Sequence, residues 1–293
     1  MDARRKGWIA IVVSAVSFGG VAVLGKLALS AGMTVPALLF WRWLVAAVAL
    51  APVAWLALEG RGVSRRALLG GFALGAVGYA GTSGVYVSSL PHIAAALASF
   101  LLFTSPAIVA ALSALLGERL SPRGLAALAL ALAGLALLAF GPGVAASLVG
   151  VALAVLSAFI YAGTIVAGRR IVADEEPLVV ATGIMAGAAV AFGVFGAATG
   201  SWGLPSDFAT WGVVLAMGIV STALSVGAFY VALPLIGAPR AALASTLEPV
   251  STAAVAFIVL GETLAVPQLA GAALVLAAVA LLATERPAAA APT

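Results

Sequence analysis

The sequence predicts an all-α membrane protein whose ten transmembrane helices form two inverted five-helix repeats. Of its 293 residues, 64% are hydrophobic and only 8% are charged, whereas a soluble domain has roughly 25% charged residues. The chain divides into ten apolar segments of about 20 residues, the length that a helix needs to cross a bilayer. The basic residues collect in alternate connectors, which indicates the direction of each segment.

The ten predicted spans use nearly the whole chain. Spans one to five cover roughly Trp8–Leu29, Pro36–Leu58, Ala67–Ser89, Ile93–Leu116 and Arg123–Phe140. Spans six to ten cover roughly Ser147–Gly168, Pro177–Thr199, Phe208–Leu233, Arg240–Leu260 and Pro267–Thr284. We therefore predict a first repeat at 1–143, a second repeat at 144–286 and a disordered C-terminal tail at 287–293.

The basic residues predict which side of the membrane each connector faces. Because cytoplasmic loops collect Lys and Arg, both termini are expected in the cytoplasm, with the chain in a bacterial inner membrane. Span one starts like a signal peptide, but its apolar run of about 22 residues exceeds the 7–15 of a signal core, so we expect it to be retained. Of the 14 basic residues, all except Lys26 and Arg42 lie on one side: Arg4, Arg5, Lys6, Arg61, Arg65, Arg66, Arg119, Arg123, Arg169, Arg170, Arg240 and Arg286.

The two halves of the chain resemble each other. Phe18 recurs as Tyr161 within a shared pattern of small residues, and Gly117-Glu118 after span four recurs as Gly261-Glu262 after span nine. An odd number of spans per half makes the second half enter the membrane from the opposite face, as in many secondary transporters. The alternative is chance similarity among Ala, Leu and Gly.

A family resemblance rests on these features. Ten spans in a five-plus-five repeat, with Leu247-Glu248-Pro249 and Leu39-Phe40-Trp41-Arg42, resemble the EamA branch of the drug/metabolite transporter superfamily over essentially the whole chain. The resemblance implies a central cavity lined by spans one, three, four, six, eight and nine. Two positions depart from the family pattern: Pro106 lies one residue closer to its Gly-Glu motif than Pro249 does, and Phe18 stands where Trp is common. Within the family, the chain is most similar to the YddG-type aromatic amino acid exporters.

Proline residues interrupt two corresponding spans. Pro106 and Pro249 lie within spans four and nine, where proline would free the carbonyls of Leu102 and Ser245. Interrupted helices at matching positions of two halves point to a transport site, so we expect both kinks to line the central cavity. The alternative is that they only bend the helices, which neighbouring helices tolerate.

Three charged residues lie inside predicted spans: Lys26, Arg42 and Glu248. Glu248 is about 12 Å into span nine at 1.5 Å per residue. Charged groups at such a depth are expensive and mark functional sites by default. We expect Glu248 to carry a proton or to meet a substrate ammonium group. The alternative is a structural ion pair with Lys26 or Arg42, both of which are expected in the outer third of the membrane.

Polar and aromatic residues share helix faces in several spans. Tyr79 and Ser83 share a face of span three, and the alternative for Tyr79 is the interfacial aromatic belt, where Tyr86 and Tyr230 are expected. The candidate substrate-cavity residues are Phe18, Tyr79, Ser83, Ser99, Phe103, Tyr161, Ser245, Glu248 and Thr252.

The polar residues of the connectors are expected to serve structure. Glu118 and Glu262 are predicted to cap a following helix or to pair with a nearby Arg. A lone interfacial His92 is expected to be structural as well. The run Asp174-Glu175-Glu176 is expected to be an exposed loop that helps the next helix to begin.

Composition and motifs exclude several classes of function. Cys is absent and His occurs once, so neither a disulfide nor a thiolate metal site is expected. Gly20–Lys26 partly fits a P-loop, but Leu27 stands where Ser or Thr should bind magnesium. We expect no enzyme activity, no metal, no cofactor and no nucleic acid partner.

We expect a secondary transporter that exports amino acids or related small amphiphilic metabolites by alternating access. One alternative is a nucleotide-sugar or lipid-linked metabolite carrier of the same fold, which would need a more basic cavity than Lys26 and Arg42 provide. The other is a membrane-embedded enzyme, for which the chain lacks a nucleophile or metal set. The expected partners are a small-molecule substrate and the lipid bilayer, and the expected assembly is a monomer or weak homodimer.

Overall fold

A computed structural model describes residues 3–89, 92–93, 98, 101–118, 120–139, 147–260 and 266–284. All regular secondary-structure elements longer than one residue in these ranges are helices, as the sequence predicts. The first half contains α1 (Ala3–Phe18), α2 (Gly20–Ser30), α3 (Val35–Ala57), α4 (Arg65–Ala73), a first π-helical segment (Leu74–Tyr79), α5 (Ala80–Ser89), α6 (Ser105–Leu115) and α7 (Pro122–Ala139). The second half contains α8 (Leu148–Val172), α9 (Pro177–Ala198), α10 (Phe208–Gly218), a second π-helical segment (Ile219–Leu224), α11 (Ser225–Ile236), α12 (Ala238–Ala244), α13 (Leu247–Leu260) and α14 (Val266–Ala283).

Within the described residues, seven helical stretches are long and apolar enough to cross a membrane. They are Ala3–Ser30, Val35–Ala57, Arg65–Tyr86, Leu148–Val172, Pro177–Ala198, Phe208–Ile236 and Ala238–Val259. Predicted spans four, five and ten correspond to shorter apolar helices there, at Ser105–Leu115, Pro122–Leu137 and Leu269–Ala283. The chain is therefore a multi-pass membrane protein, and the count of ten spans stays a prediction.

The two stretches that contain Pro106 and Pro249 are each interrupted by a turn. In the second half the turn lies at residues 245–246, and Pro249 is in the first turn of α13. In the first half the turn lies at residues 103–104, and Pro106 is the second residue of α6. Proline is tolerated in a first helical turn because the amides there have no intrahelical partner.

Two π-helical segments occupy corresponding positions in predicted spans three and eight. In the second segment the Thr222 hydroxyl donates to the Met217 carbonyl, five residues earlier, at 2.8 Å. In the first segment Gly75 lies directly against the backbone of Ile184 in α9. π-Helical segments are rare in proteins, and those that occur are often found at functional sites. The apolar pattern of the sequence did not predict them.

The main helix contacts join the two halves of the chain. α3 packs against α9, α1 against α11, and α7 against α14. α4 and α9 approach each other at backbone distance, since a Cβ added at Gly183 would lie 2.8 Å from the Leu68 carbonyl oxygen. Small residues allow this close approach between membrane helices.

The connectors rich in arginine meet at one end of the bundle, here called the basic end. Arg61 lies 3.7 Å from Glu176, and Arg66 lies 3.6 Å from Asp174. The neighbouring Glu175 accepts a hydrogen bond from the Ser64 hydroxyl at 2.8 Å. The prediction that this acidic run only helps a helix to begin is therefore wrong, because its three members contact Arg61 and Ser64 between α3 and α4 and Arg66 in the first turn of α4.

Aromatic and capping residues order the opposite end of the bundle. The Trp41 indole N–H donates to the Gly203 carbonyl at 2.9 Å, which ties α3 to the connector before α10. Asp207 caps α10 by accepting from the Thr210 amide at 2.8 Å. This hydrogen bond, with a further one from the Ser206 hydroxyl, holds the pKa of the Asp207 carboxyl below its ordinary value.

Candidate functional site

A buried arginine lies at the centre of the bundle. Arg42 is about 10 Å along α3 from its first residue at 1.5 Å per residue, and it is only 6% exposed. Its Nε donates to the Thr222 hydroxyl of the second π-helical segment at 2.7 Å. Its guanidinium carbon lies 5.5 Å from the Phe18 ring centre and 4.9 Å from the Trp43 ring centre. One hydrogen bond and two cation–π contacts therefore stabilise the charge.

Arg42 keeps donor capacity beyond these contacts. A guanidinium carries five N–H donors, and Thr222 accepts the one on Nε. Among the residues that the structure describes, the two terminal amino groups donate to no protein atom. Their planar arrangement matches a carboxylate that binds through both oxygens.

A buried carboxylate lies within electrostatic range of this arginine. Glu248 is 7% exposed and lies in the first turn of α13, where the helix dipole stabilises an acidic group. Its carboxylate interacts with the Ser245 hydroxyl and, through space, with Arg42. The Glu248 amide donates to the Ser245 carbonyl at 2.9 Å. The prediction that Pro249 leaves this carbonyl free is therefore wrong, because the turn supplies another donor.

The two buried charges come from opposite halves of the chain. Arg42 was expected toward the outer third of the membrane, as one of two candidate partners of Glu248, and the two interact electrostatically. The interruption between α12 and α13 places Glu248 in the first turn of a new helix, and the sequence did not predict this break. The side chain of Lys26, the third predicted charge, lies outside the described residues.

Aromatic rings surround the charged pair. The Tyr79 ring lies 5.7 Å from the Trp43 ring and 6.2 Å from the Tyr161 ring, both edge to face. Phe18 contacts the Arg42 guanidinium from α1. Phe18, Tyr79 and Tyr161 are half-buried. The structure thus brings these three predicted cavity residues together around Arg42.

Tyr230 belongs to the same region rather than to an interfacial belt. The prediction for it is wrong, because Tyr230 is 0% exposed and α11 continues for six residues beyond it. A Cβ added at Gly168 would lie 2.6 Å from its phenol oxygen. The Tyr79 hydroxyl lies nearby, but the Tyr230 hydroxyl makes no hydrogen bond of standard geometry in the described part of the chain.

The other candidate cavity residues are more dispersed. Ser83 is half-buried in α5, and Ser245 is buried and donates to the Ala241 carbonyl at 3.2 Å. The Thr252 backbone lies close to Gly19, between α1 and α2, since its amide nitrogen would be 2.9 Å from a Cβ added there. Phe103 belongs to a separate apolar cluster with Ala15, Leu135, Leu247, Val275 and Val279. Ser99 lies outside the described residues.

Sequence reasoning missed three residues of the central cluster, Trp43, Thr222 and Tyr230. Trp43 follows Arg42 directly, so its proximity to the charge could have been noticed. Thr222 follows Ser221 inside an apolar span, and polar residues at that depth are a signal in themselves. Predicted span eight ends at Leu233 whereas α11 continues to Ile236, so Tyr230 lies further from the helix end than the sequence indicated.

An ion pair links three elements at the basic end. Glu118, which follows α6, lies 3.7 Å from Nε of Arg169 near the end of α8. Its Oε2 is also 3.3 Å from the position of a Cβ added at Gly237, between α11 and α12. The corresponding Glu262 lies outside the described residues, and His92 is exposed at the opposite end.

The sequence profile of the EamA-like transporter family matches the chain twice, at residues 5–140 and 148–284. The chain belongs to this family. The predicted membership of the EamA branch is confirmed, while the closer likeness to YddG-type exporters stays a prediction. An uncharacterized transporter of Archaeoglobus fulgidus is 29% identical over 278 residues, which cover 94% of this chain and 95% of the relative.

A solved crystal structure has the same fold as this EamA-like chain. It superposes with a TM-score of 0.73 at 24% identity, and the match covers 96% of each chain. The family and the transporter relative support a membrane transporter. In the described residues no group of three or more His, Cys, Asp or Glu side chains is placed to hold a metal ion.

Proposed function

We propose that this EamA-like transporter exports amino acids or related small amphiphilic metabolites by alternating access. One observation carries the proposal: a buried arginine with two terminal amino groups that donate to no described residue lies near a buried carboxylate, inside an aromatic wall. A zwitterion matches this arrangement. Its carboxylate would bind Arg42 through two oxygens, and its ammonium group would face Glu248.

The surrounding rings suit the side chain of such a substrate. Phe18, Tyr79 and Tyr161 supply apolar area, and the tyrosines add hydroxyl groups. Sites for small molecules are mostly apolar with a few polar groups that fix orientation. A bound zwitterion would also compensate both buried charges, which are expensive without partners.

Alternating access is supported by how closed the central cluster is. Arg42, Trp43 and Glu248 are 6%, 2% and 7% exposed. A substrate could therefore reach the charges only after helices move apart. The interruptions at residues 103–104 and 245–246, and the two π-helical segments, are places where helices can bend. We place the basic end in the cytoplasm, following the distribution of Lys and Arg.

The inverted arrangement of ten spans is supported by the pattern of helix contacts. If the two repeats are equivalent, span one corresponds to span six and span three to span eight. A contact between spans one and eight should then be matched by a contact between spans six and three. Both occur, as α1 with α11 and as α5 with α8. The contact between α6 and α8 (spans four and six) should likewise be matched by a contact between α13 and α1 (spans nine and one). Both of these contacts also occur. The π-helical segments of spans three and eight follow the same rule.

The rival carriers of nucleotide sugars or lipid-linked metabolites fit the central cluster less well. Multiply charged phosphate groups need several cations, as in other phosphate sites. Here Arg42 is accompanied by an acidic Glu248.

Counterflow in proteoliposomes tests the proposal. Vesicles loaded with unlabelled phenylalanine should take up labelled phenylalanine, but neither phenethylamine, which lacks the carboxylate, nor 3-phenylpropionate, which lacks the amino group. We expect Glu248→Gln to reduce phenylalanine uptake about tenfold or more, because a hydrogen bond to a charged group contributes roughly 1.5–3 kcal/mol.

The matched control is Glu176→Gln, which removes an acidic group at the basic end. It should leave uptake unchanged, and the thermal midpoint of each variant in detergent checks folding. Equal uptake of all three compounds, or normal uptake by folded Glu248→Gln protein, would contradict the proposed site.

A further inference from the structure

A cleft at the basic end holds a second group of charged side chains. Its volume is about 430 Å³, and its lining includes Glu118, Arg169, Gly237, Pro239 and Arg240. A smaller cavity of about 90 Å³ adjoins it and is lined by Leu116, Val166 and Arg170 among others. Arg169 and Arg240 in the cleft and Arg170 in the adjoining cavity outnumber Glu118, so this region favours an anionic group.

The ion pair inside the cleft is loose. The 3.7 Å distance between Nε of Arg169 and the Glu118 carboxylate exceeds hydrogen-bond length. Nε of Arg169 is buried, yet it has no hydrogen-bond partner in the described part of the chain. The Glu118 side chain is 40% exposed. Such partly exposed pairs add little stability, so another carboxylate can replace Glu118 at Arg169.

The cleft and the central cluster share helix α8. Tyr161 and Arg169 are eight residues apart on it, which is about 12 Å at 1.5 Å per residue. Glu118 comes from the first half, and both Arg169 and Gly237 come from the second. The contact between Glu118 and Arg169 therefore joins the two halves of the chain at the basic end.

We infer that this cleft is an entry subsite where Arg169 binds the carboxylate of the substrate before the substrate reaches Arg42. This inference rests on the proposed function and names a second site for the same zwitterion. The incoming carboxylate takes the place of Glu118 at Arg169, which is possible because the Glu118–Arg169 pair is long and partly exposed.

Thiol labelling measures occupation of the cleft independently of transport. The chain has no native Cys, and Leu116 is 46% exposed beside the smaller cavity. Phenylalanine should slow the reaction of Leu116→Cys protein with a water-soluble maleimide, whereas phenethylamine should not. The control is Gly62→Cys at the same end of the bundle, where an added Cβ meets nothing within 4 Å. Its labelling should be unaffected by either compound.

Second substitutions in the Leu116→Cys protein identify the binding group. Arg169→Gln should raise the phenylalanine concentration for half protection about tenfold or more, because the charge-assisted bidentate contact is lost. Arg169→Lys should retain part of the protection, and Glu118→Gln should shift half protection to a lower concentration. Glu176→Gln removes a partner from an ion pair of the same 3.7 Å length outside the cleft and should change nothing.

Glu248→Gln separates this subsite from the central site. Protection that persists in Glu248→Gln and disappears in Arg169→Gln supports the entry subsite. Protection that persists in Arg169→Gln, or that phenethylamine also gives, overturns it. Absence of phenylalanine counterflow in the wild-type protein would instead contradict the proposed function, so the two failures have different readouts.

Discussion

At the residue scale, the central cluster depends on how Arg42 is held. Arginine in a membrane interior is expensive, and this one has a hydrogen bond to Thr222 at 2.7 Å and two aromatic faces as neighbours. Thr222 in turn donates to the Met217 carbonyl. Nε is thus fixed by the protein, and the proposed function assigns the terminal amino groups to the substrate carboxylate. A lysine at this position could not divide its donors in this way.

Tyr79 provides a test of the aromatic wall. It lies between Trp43 and Tyr161, so its truncation should enlarge the space next to the charged pair. We expect Tyr79→Ala to change the preference among aromatic, aliphatic and charged amino acids, beyond any change in rate. Competition uptake against labelled phenylalanine measures this preference.

The control for Tyr79 is Tyr86→Ala, seven residues later on the same span and packed beside another apolar cluster. That variant should keep the wild-type order of preference. An unchanged order in Tyr79→Ala as well would assign Tyr79 to helix packing.

At the element scale, glycines set how close α4 and the first π-helical segment come to α9. Gly75 lies directly against the Ile184 backbone, and Gly187 directly against that of Phe72. A side chain at these positions would require two helices to separate. The close contact therefore depends on residues that contribute nothing to the apolar pattern.

Substitution of two glycines in the same predicted span tests this packing. Gly75→Ala should lower the thermal midpoint in detergent by several degrees, because overpacking typically costs about 1–3 kcal/mol. Gly84→Ala should leave the midpoint unchanged or raise it, since nothing lies within 4 Å of an added Cβ and alanine favours helix by about 1 kcal/mol over glycine. Equal midpoints for the two variants would show that the contact at Gly75 relaxes easily.

At the scale of the whole molecule, each end of the bundle is fastened by contacts between connectors. The basic end has the hydrogen bond from the Ser64 hydroxyl to Glu175 at 2.8 Å and the pair Arg66–Asp174. The opposite end has the hydrogen bond from the Thr34 hydroxyl to the Ser201 carbonyl at 2.6 Å. A transporter that alternates between two openings must loosen one of these ends at a time.

Topology can be measured with single cysteines because the chain has none. We expect Ser64→Cys to react with an impermeant maleimide only from the cytoplasmic side and Ser201→Cys only from outside. The reason is that Lys and Arg mark the cytoplasmic loops. Labelling of intact cells and of inverted vesicles distinguishes the sides. Reaction of Ser64→Cys in intact cells would reverse the orientation.

The sequence by itself determined the class of this protein and its family. Long apolar segments allow only helices in a membrane, since every backbone polar group must bond within its own segment. One-sided arginines, paired Gly-Glu motifs and matching prolines then gave the topology hypothesis and the resemblance. Glu248, Arg42 and Tyr79 were selected because the expense of burying such groups does not depend on the details of packing, and the structure buries Arg42 and Glu248.

Only the tertiary structure decided which of these residues meet. Arg42 and Glu248 lie 206 residues apart in sequence, and their proximity follows from a helix break at residues 245–246 and from packing between halves. Phe103 shares a predicted span with Pro106 but packs in another cluster, and Tyr230 is fully buried where an interfacial position was expected. Breaks and π-helical segments shift the face on which a residue lies, and sequence periodicity assumes that no such shift occurs.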